Sequence, residues 1–408
     1  MKRLKILIFI LIVLLLAPLF SGCTSGQVSL FFTAFPKLAY KQNEQIDLSG
    51  MKVEAFNTDG TTTVVHIKDE EIEKPSTETP GEKIVKITHG EISTTFSIYV
   101  ANYVVNQTQN IKPVIESAND GEIVLIKQGE YKPQSISDES LYNILINKKI
   151  TIIGEGNNNT ILHGNLILGA NNVNGNFIPK ENFSGVNILN IGFKLDSQVK
   201  NRYRTFEGPY GNYDLFGAIK TNNSSNITIK GCSFSGYSYG VNADNITGLT
   251  LINNRFRNIF INALKVSTNI KYSTIAKNEV MDIGTSSLVL DNNKQGNVGA
   301  LYLSFTDKEN AGVIIANNSF VRIGLIQGDL IYNTLGADEL ETTNEQLTKM
   351  SYINNSAIIF LVSASENNLQ VGGIILSMNN FGTTLENISF GTNKNNLINQ
   401  TGVIINDA

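Results

Sequence analysis

The stretch "SNITIKGCSF" at residues 225–234 is followed by "TGLTLINNRF" at residues 247–256. Their apolar positions coincide: Ile227 with Leu249, Ile229 with Leu251 and Phe234 with Phe256, each pair 22 residues apart. "VNILNIGFKL" at 186–195 is an earlier copy. "YSTIAKNEVMDIG" at 272–284 aligns Val280 with Phe256 at an offset of 24, and "GVIIANNSF" at 312–320 aligns Phe320 with Val280 at an offset of 40. A short period built of brief β-rich runs and Asn-rich turns reads as a β-solenoid. Each coil then holds three short strands, and equivalent residues stack at the strand spacing of about 4.8 Å. The longer offset of 40 leaves two readings open, a long excursion or nearly one more coil around "DNNKQGNVGALYLSFTDKEN".

Asn253-Asn254, Lys277-Asn278 and Asn317-Asn318 fall at one turn of the repeat. Asn tolerates left-handed backbone, and its amide can bond to the copy above and below. The Asn richness therefore has a structural explanation.

Composition bounds the rest. The chain has 408 residues, 41% of them hydrophobic and only 17% charged, with a net charge of −4. That length supports more than one packed core. It offers no basic field for nucleic acid, which is excluded as a partner. The two cysteines, Cys23 and Cys232, rule out a disulfide framework. Cys232 lies inside the repeat and reads as a small buried side chain rather than a nucleophile. His66 and His89 read as solvent-facing strand residues, and His163 stands alone as structural or exposed.

At the N-terminus, Lys2, Arg3 and Lys5 precede an apolar run over residues 6–20, then Ser21, Gly22 and Cys23. This order reads as an export signal. Its order resembles a bacterial lipoprotein signal, which implies removal of residues 1–22, lipid on Cys23 and a place at the cell membrane on its extracytoplasmic side. A plain cleaved signal or an uncleaved anchor is the alternative. Residues 23–27 are a polar tether. From 28 to 101 come short strands with turns, and "YKQNEQIDLSGMKVEAFNTDGTT" with "GEKIVKITHGEISTTFSIYV" resembles the bacterial Ig-like domains of surface proteins. From 102 to 408, "IKPVIESANDGEIVLIKQGEY" followed by "KKITIIGEGNNNTIL" resembles the N-terminal cap and first coils of the pectate lyase-like superfamily. The fold expected is thus all-β: a small Ig-like β-sandwich, then a right-handed parallel β-helix of three sheets with an N-terminal capping helix. Residues 334–350 read as a loop or short helix, with strands resuming towards the C-terminus.

In a stacked coil, function lies in what points outward. Aligning Ile219, Val241, Leu264 and Leu288 as inward residues makes Lys220, Asn242, Lys265 and Val289 an outer row, because strand side chains alternate. Asn222, Asp244, Ser267 and Asp291 run along its edge. Lys220 and Lys265, two coils apart, would lie roughly 10 Å from each other, a spacing that suits an anionic sugar chain. An insertion at 200–217 enters just before Lys220 and carries Tyr203, Arg204, Tyr210 and Tyr213. Tyr237 and Tyr239 occupy the corresponding loop one coil on. Tyrosine rings present flat faces with a polar tip, suited to stacking on sugars. The competing reading makes the lysines solubilising surface and the tyrosines loop packing.

The superfamily resemblance implies lyases, hydrolases, esterases or non-catalytic binders. In the lyases, carboxylates hold Ca²⁺ against a uronate while Lys or Arg removes a proton. That would assign Lys265 and Lys220 to catalysis, Tyr203, Arg204, Tyr210, Tyr213, Tyr237, Tyr239 and Asn242 to substrate, and Asp244 and Asp291 to Ca²⁺. The sequence departs from the pattern: no cluster of three acidic residues falls on adjacent coils, and no Asp-Asp pair for hydrolysis occurs in the solenoid. The expectation is a surface lipoprotein that binds an acidic polysaccharide or cell-envelope glycan, with cleavage left open. The alternative is a non-catalytic adhesin or envelope spacer.

Overall fold

The structure is a computed structural model. It describes residues 26–132, 143–173, 176–180, 182–195, 217–259, 261–283, 298–305, 310–323, 325–326, 351–352, 356–363, 372–377, 379 and 403–406. The chain divides into two compact units, Met1–Val100 and Ala101–Ala408.

The first unit contains a three-stranded antiparallel sheet and a four-stranded sheet. Along Lys52–Asn57, Val53 and Ala55 are buried between exposed or half-buried neighbours, the alternation expected where one sheet face is covered. Val85, Ile87 and Ile98 close the same core from Gly81–His89 and Ile92–Val100. The Tyr40 hydroxyl donates within 2.8 Å of the Lys37 and Asp47 carbonyl oxygens. His66 is exposed, and His89 Nδ1 lies 2.7 Å from Glu71 Oε1.

The second unit is a stack of parallel strands in a seven-stranded and a 17-stranded sheet. The larger sheet carries two series of rungs, so a coil has three strands. One coil runs Gly217–Thr221, Ser224–Lys230 and Ser233–Ser235; the next runs Tyr239–Thr247, Thr250–Ile252 and Arg255–Ile259. The quoted repeat stacks as expected: Ile229 pairs with Leu251 and Phe234 with Phe256. Phe256 pairs with Val280, and Val280 directly with Phe320. The offset of 40 is therefore an excursion and not an added coil. Inside, Phe193, Phe234 and Phe256 stack with centroids 5.1 and 4.6 Å apart and planes within 6° of parallel. Aromatic stacking of this kind adds about 1 kcal/mol per pair beyond area burial. The helix Ile111–Ser117 buries Ile111 and Ile115 in the same core cluster, and the Asn110 side chain accepts from the Lys112 N–H at its start.

The Asn pairs divide two tasks between neighbours. Asn253, Lys277 and Asn317 adopt the left-handed backbone, each at φ 56°. The residues after them, Asn254, Asn278 and Asn318, are buried and turn inward. Asn254 Nδ2 donates to Asn278 Oδ1 at 3.0 Å, Asn278 to Asn318 at 2.9 Å, and Asn318 to Asn379 at 3.0 Å. The same oxygens accept backbone N–H groups, and the same amides reach the carbonyl oxygens of Ile229, Leu251 and Ile275. Every polar group of this buried ladder is thus satisfied, as burial demands. One rung before Asn254 the column holds Cys232, whose N–H donates to Asn254 Oδ1 at 2.9 Å. Its thiol faces the Ile188 carbonyl oxygen at 3.5 Å, and burial pushes its pKa up to about 12. The structural reading of Cys232 holds.

Candidate functional site

The candidate site is built from the outward side of the first strand in each coil. Ile219, Val241, Leu264 and Leu301 point into the core. One residue further on, Lys220 pairs with Asn242, Asn242 with Lys265, and Lys265 with Tyr302. Two adjacent rungs separate the two lysines by roughly 10 Å. Both lysines and Tyr302 are half-buried, and Asn242 between them is 7% exposed.

Lys265 is held on a ring. Its Nζ sits 4.8 Å from the Tyr239 ring centroid and 3.4 Å from the Tyr239 hydroxyl oxygen. A cation on an aromatic face is worth about 1 kcal/mol or more as it loses water. Tyr239 is only 5% exposed, so its ring serves to place Lys265 rather than to receive a sugar. This corrects the expectation that Tyr239 stacks on substrate. Tyr237 needs the same correction. It is 0% exposed, belongs to the solenoid core, and donates its hydroxyl to the Gly164 carbonyl oxygen at 2.8 Å. Burial raises its pKa far above the usual tyrosine value. Asn242 lies in the row as expected, but its burial keeps it from offering more than an edge to a ligand.

The row's continuation also differs. Tyr302, not Val289, follows Lys265, because Val298–Phe305 supplies the next rung; Val289 lies outside the described residues. On the edge, a register shift between Ala243 and Asn245 carries Asp244 to Thr268, whose hydroxyl donates to Asp244 Oδ1 at 2.5 Å. The pairing Val266–Leu303 then places Ser304, not Asp291, after Ser267. Asp291 itself lies outside the described residues, as do Cys23, Tyr203, Arg204, Tyr210 and Tyr213.

Ca²⁺ needs six to eight oxygen ligands. Asp244 is one carboxylate already engaged by Thr268, and among the described residues no three His, Cys, Asp or Glu side chains gather to hold a metal. The described part of the site does not fit the cation. What the row can do chemically is present two cations and flanking polar groups at fixed intervals. The sequence missed Tyr302, because the excursion hid the register that brings it beside Lys265.

His163 is 4% exposed, with Nε2 3.5 Å from Glu130 Oε2, and takes no part in the row. Among the described residues no helix is long and apolar enough to cross a membrane.

No protein-family model matches the chain, and no curated protein matches it. Solved structures similar to it include a mutant pectin methylesterase in complex with a hexasaccharide, at 11% identity and a TM-score of 0.39, covering 69% of this chain and 81% of that one. They also include a family 28 exopolygalacturonase of Yersinia enterocolitica, at 11% identity and a TM-score of 0.38, covering 82% and 72%. A PL6 family alginate lyase matches at 12% identity and a TM-score of 0.28, covering 91% and 50%. These likenesses are weak, and the solenoid assignment rests on the strand register described above.

Proposed function

We propose that the protein is a surface-anchored lipoprotein whose solenoid binds an acidic polysaccharide along the Lys220–Asn242–Lys265–Tyr302 row. The observation that carries this reading is the register itself. It puts two half-buried ammonium groups on one straight line, two rungs apart, with one of them fixed on the Tyr239 ring. A flexible lysine loses up to about 2 kcal/mol of rotamer entropy when it grips a ligand. A lysine already held on a ring has surrendered part of that freedom before the ligand arrives. A polyuronate carries one carboxylate per sugar, so a chain laid along the rungs meets both cations.

In this reading the export signal and Cys23 attach the chain to the membrane, residues 28–101 act as an Ig-like spacer, and the helix at 111–117 covers the first coil. Binding is the reading the geometry supports best, and Lys220 and Lys265 are its binding residues. The test is direct. Polygalacturonate hexamer, with and without Ca²⁺, is titrated into the mature protein and into a Lys220→Ala/Lys265→Ala variant. Saturable binding that weakens about tenfold or more in the variant, and weakens with salt, is expected. Equal binding by both proteins removes the row as the site. The absence of saturable binding to any acidic glycan favours the envelope-spacer reading instead.

A further inference from the structure

A second outward feature lies on another strand series. Where each coil enters its second strand, one column of residues adopts positive φ: Asn226 at 53°, Gly248 at 73°, Tyr272 at 47° and Gly312 at 60°. The register stacks them, since Thr228 pairs with Thr250, Thr250 with Thr274 and Thr274 with Ile314. Glycine and asparagine suit this conformation; an aromatic residue there is a true outlier. Tyr272 is held in place by its own N–H, which donates to the Ala311 carbonyl oxygen at 2.7 Å.

Core burial does not explain the residue. Tyr272 is 65% exposed, the most exposed aromatic side chain among the described residues. The column leaves room for it: Gly248 has no side chain on one side, and a Cβ at Gly312 on the other would come within 2.7 Å of Tyr272 Cδ1. Two residues along the strand, Thr228, Thr250 and Thr274 form a half-exposed column of hydroxyl groups at the strand spacing. Backbone strain maintained under an exposed side chain points to a use for that side chain.

We propose that Tyr272 is a stacking platform for a pyranose ring, and that the glycan extends along the Thr228–Thr250–Thr274 hydroxyls. The inference rests on the glycan-binding reading above and adds to it a second contact face, built from an aromatic ring and a column of hydroxyl groups. A ring with a flat apolar surface takes the carbohydrate's C–H face, while the threonines exchange hydrogen bonds with its hydroxyl groups.

The experiment titrates polygalacturonate hexamer calorimetrically into the wild-type chain, into Tyr272→Gly, into Tyr272→Asn and into Lys220→Ala/Lys265→Ala. The expected result is two sites in the wild type. One, sensitive to salt, is lost with the lysines; the other, insensitive to salt, weakens about tenfold in both Tyr272 variants. Because glycine and asparagine already occupy this column, both Tyr272 variants should unfold at or above the wild-type midpoint. Two full sites remaining in Tyr272→Gly or Tyr272→Asn overturns the platform alone. A lowered unfolding midpoint in both variants also overturns it, because the ring would then be a packing element. Loss of neither site in the lysine variant overturns the row while leaving the platform standing. A wild type that takes up no hexamer overturns both.

Discussion

Asn254 and Asn278 sit one coil apart in the solenoid interior and share a side-chain hydrogen bond of 3.0 Å, while the Asn254 N–H donates to the same Asn278 oxygen at 3.0 Å. One amide therefore completes two donors of its neighbour. Its own Nδ2 serves Asn318 Oδ1 and the Leu251 carbonyl oxygen. The column is a chain in which each member satisfies the next.

Removing a member should leave buried groups without partners. Asn278→Ala orphans the Asn254 N–H and weakens the Asn254 amide, and each buried group so left costs about 1–3 kcal/mol. A loss of about 3 kcal/mol in urea unfolding is expected. Asn253→Gly, at the adjacent left-handed position, should change stability by only a few tenths of a kcal/mol, since glycine accepts φ 56°. Equal effects from the two substitutions would contradict the division of tasks.

Cys232 supplies a pH and reactivity prediction. Its folded pKa is raised by burial from 9.0 to about 12. The neutral thiol is the form the fold favours, so its contribution is fully present below pH 9 and is lost as pH rises from 9 towards 12. Tyr131, raised by burial to about 12, acts in the same direction above pH 10. Alkaline unfolding followed by circular dichroism should show falling stability across this window. At pH 8 the native thiol should resist a disulfide reagent that labels it immediately in denaturant; rapid native labelling would contradict its burial.

Gly240 tests the packing of the first strand series. Its column neighbours Ala218, Ala263 and Ala300 carry a methyl group inside the core. At Gly240 a Cβ would lie 2.5 Å from Phe256 Cε1 and 2.7 Å from the Ala263 carbonyl oxygen. Gly240→Ala should therefore destabilise by about 1–3 kcal/mol, the usual cost of overpacking. A neutral result in thermal unfolding would place the Phe256 ring elsewhere.

Asp282 and Arg322 make a pair at another left-handed corner, with φ 56° and 52°. Arg322 Nε and Nη2 donate to the two Asp282 oxygens at 2.5 and 2.9 Å, and Arg257 Nε lies 3.5 Å from Asp282 Oδ2. The Asp282 side chain is 5% exposed. Asp282→Ala leaves the Arg322 and Arg257 guanidinium groups without their shared anion, and a cost of about 3 kcal/mol is expected. Asp282→Asn, which keeps the acceptor oxygen, should recover part of it. Stability unchanged by Asp282→Ala in urea unfolding would contradict the pairing.

The solenoid was legible because its period is written in apolar residues: Ile229, Leu251, Phe234 and Phe256 pair as their spacing implied. The Lys220–Asn242–Lys265 row was legible for the same reason, since alternation fixes which neighbours face outward. Two features defeated the reading. The excursion after Ile283 removed the period, so Val289 was aligned where Tyr302 stands. Exposure was not legible either: Tyr237 looked like a loop aromatic, yet it is buried and its hydroxyl reaches Gly164, 73 residues earlier in sequence and two rungs back at the same corner of the coil. Sequence spacing reports which residues share a column, but not how far a long side chain reaches along it. Tyr272 carried a faint signal, an aromatic residue at the repeat position filled by Gly248 and Gly312.

The lysine row is tested most directly by following lysine side-chain NMR signals while polygalacturonate hexamer is added to the mature protein. The account predicts saturating shifts at both Lys220 and Lys265 with a single binding constant, because one sugar chain spans the two rungs. Shifts at neither lysine, while the hexamer demonstrably binds elsewhere, would contradict it.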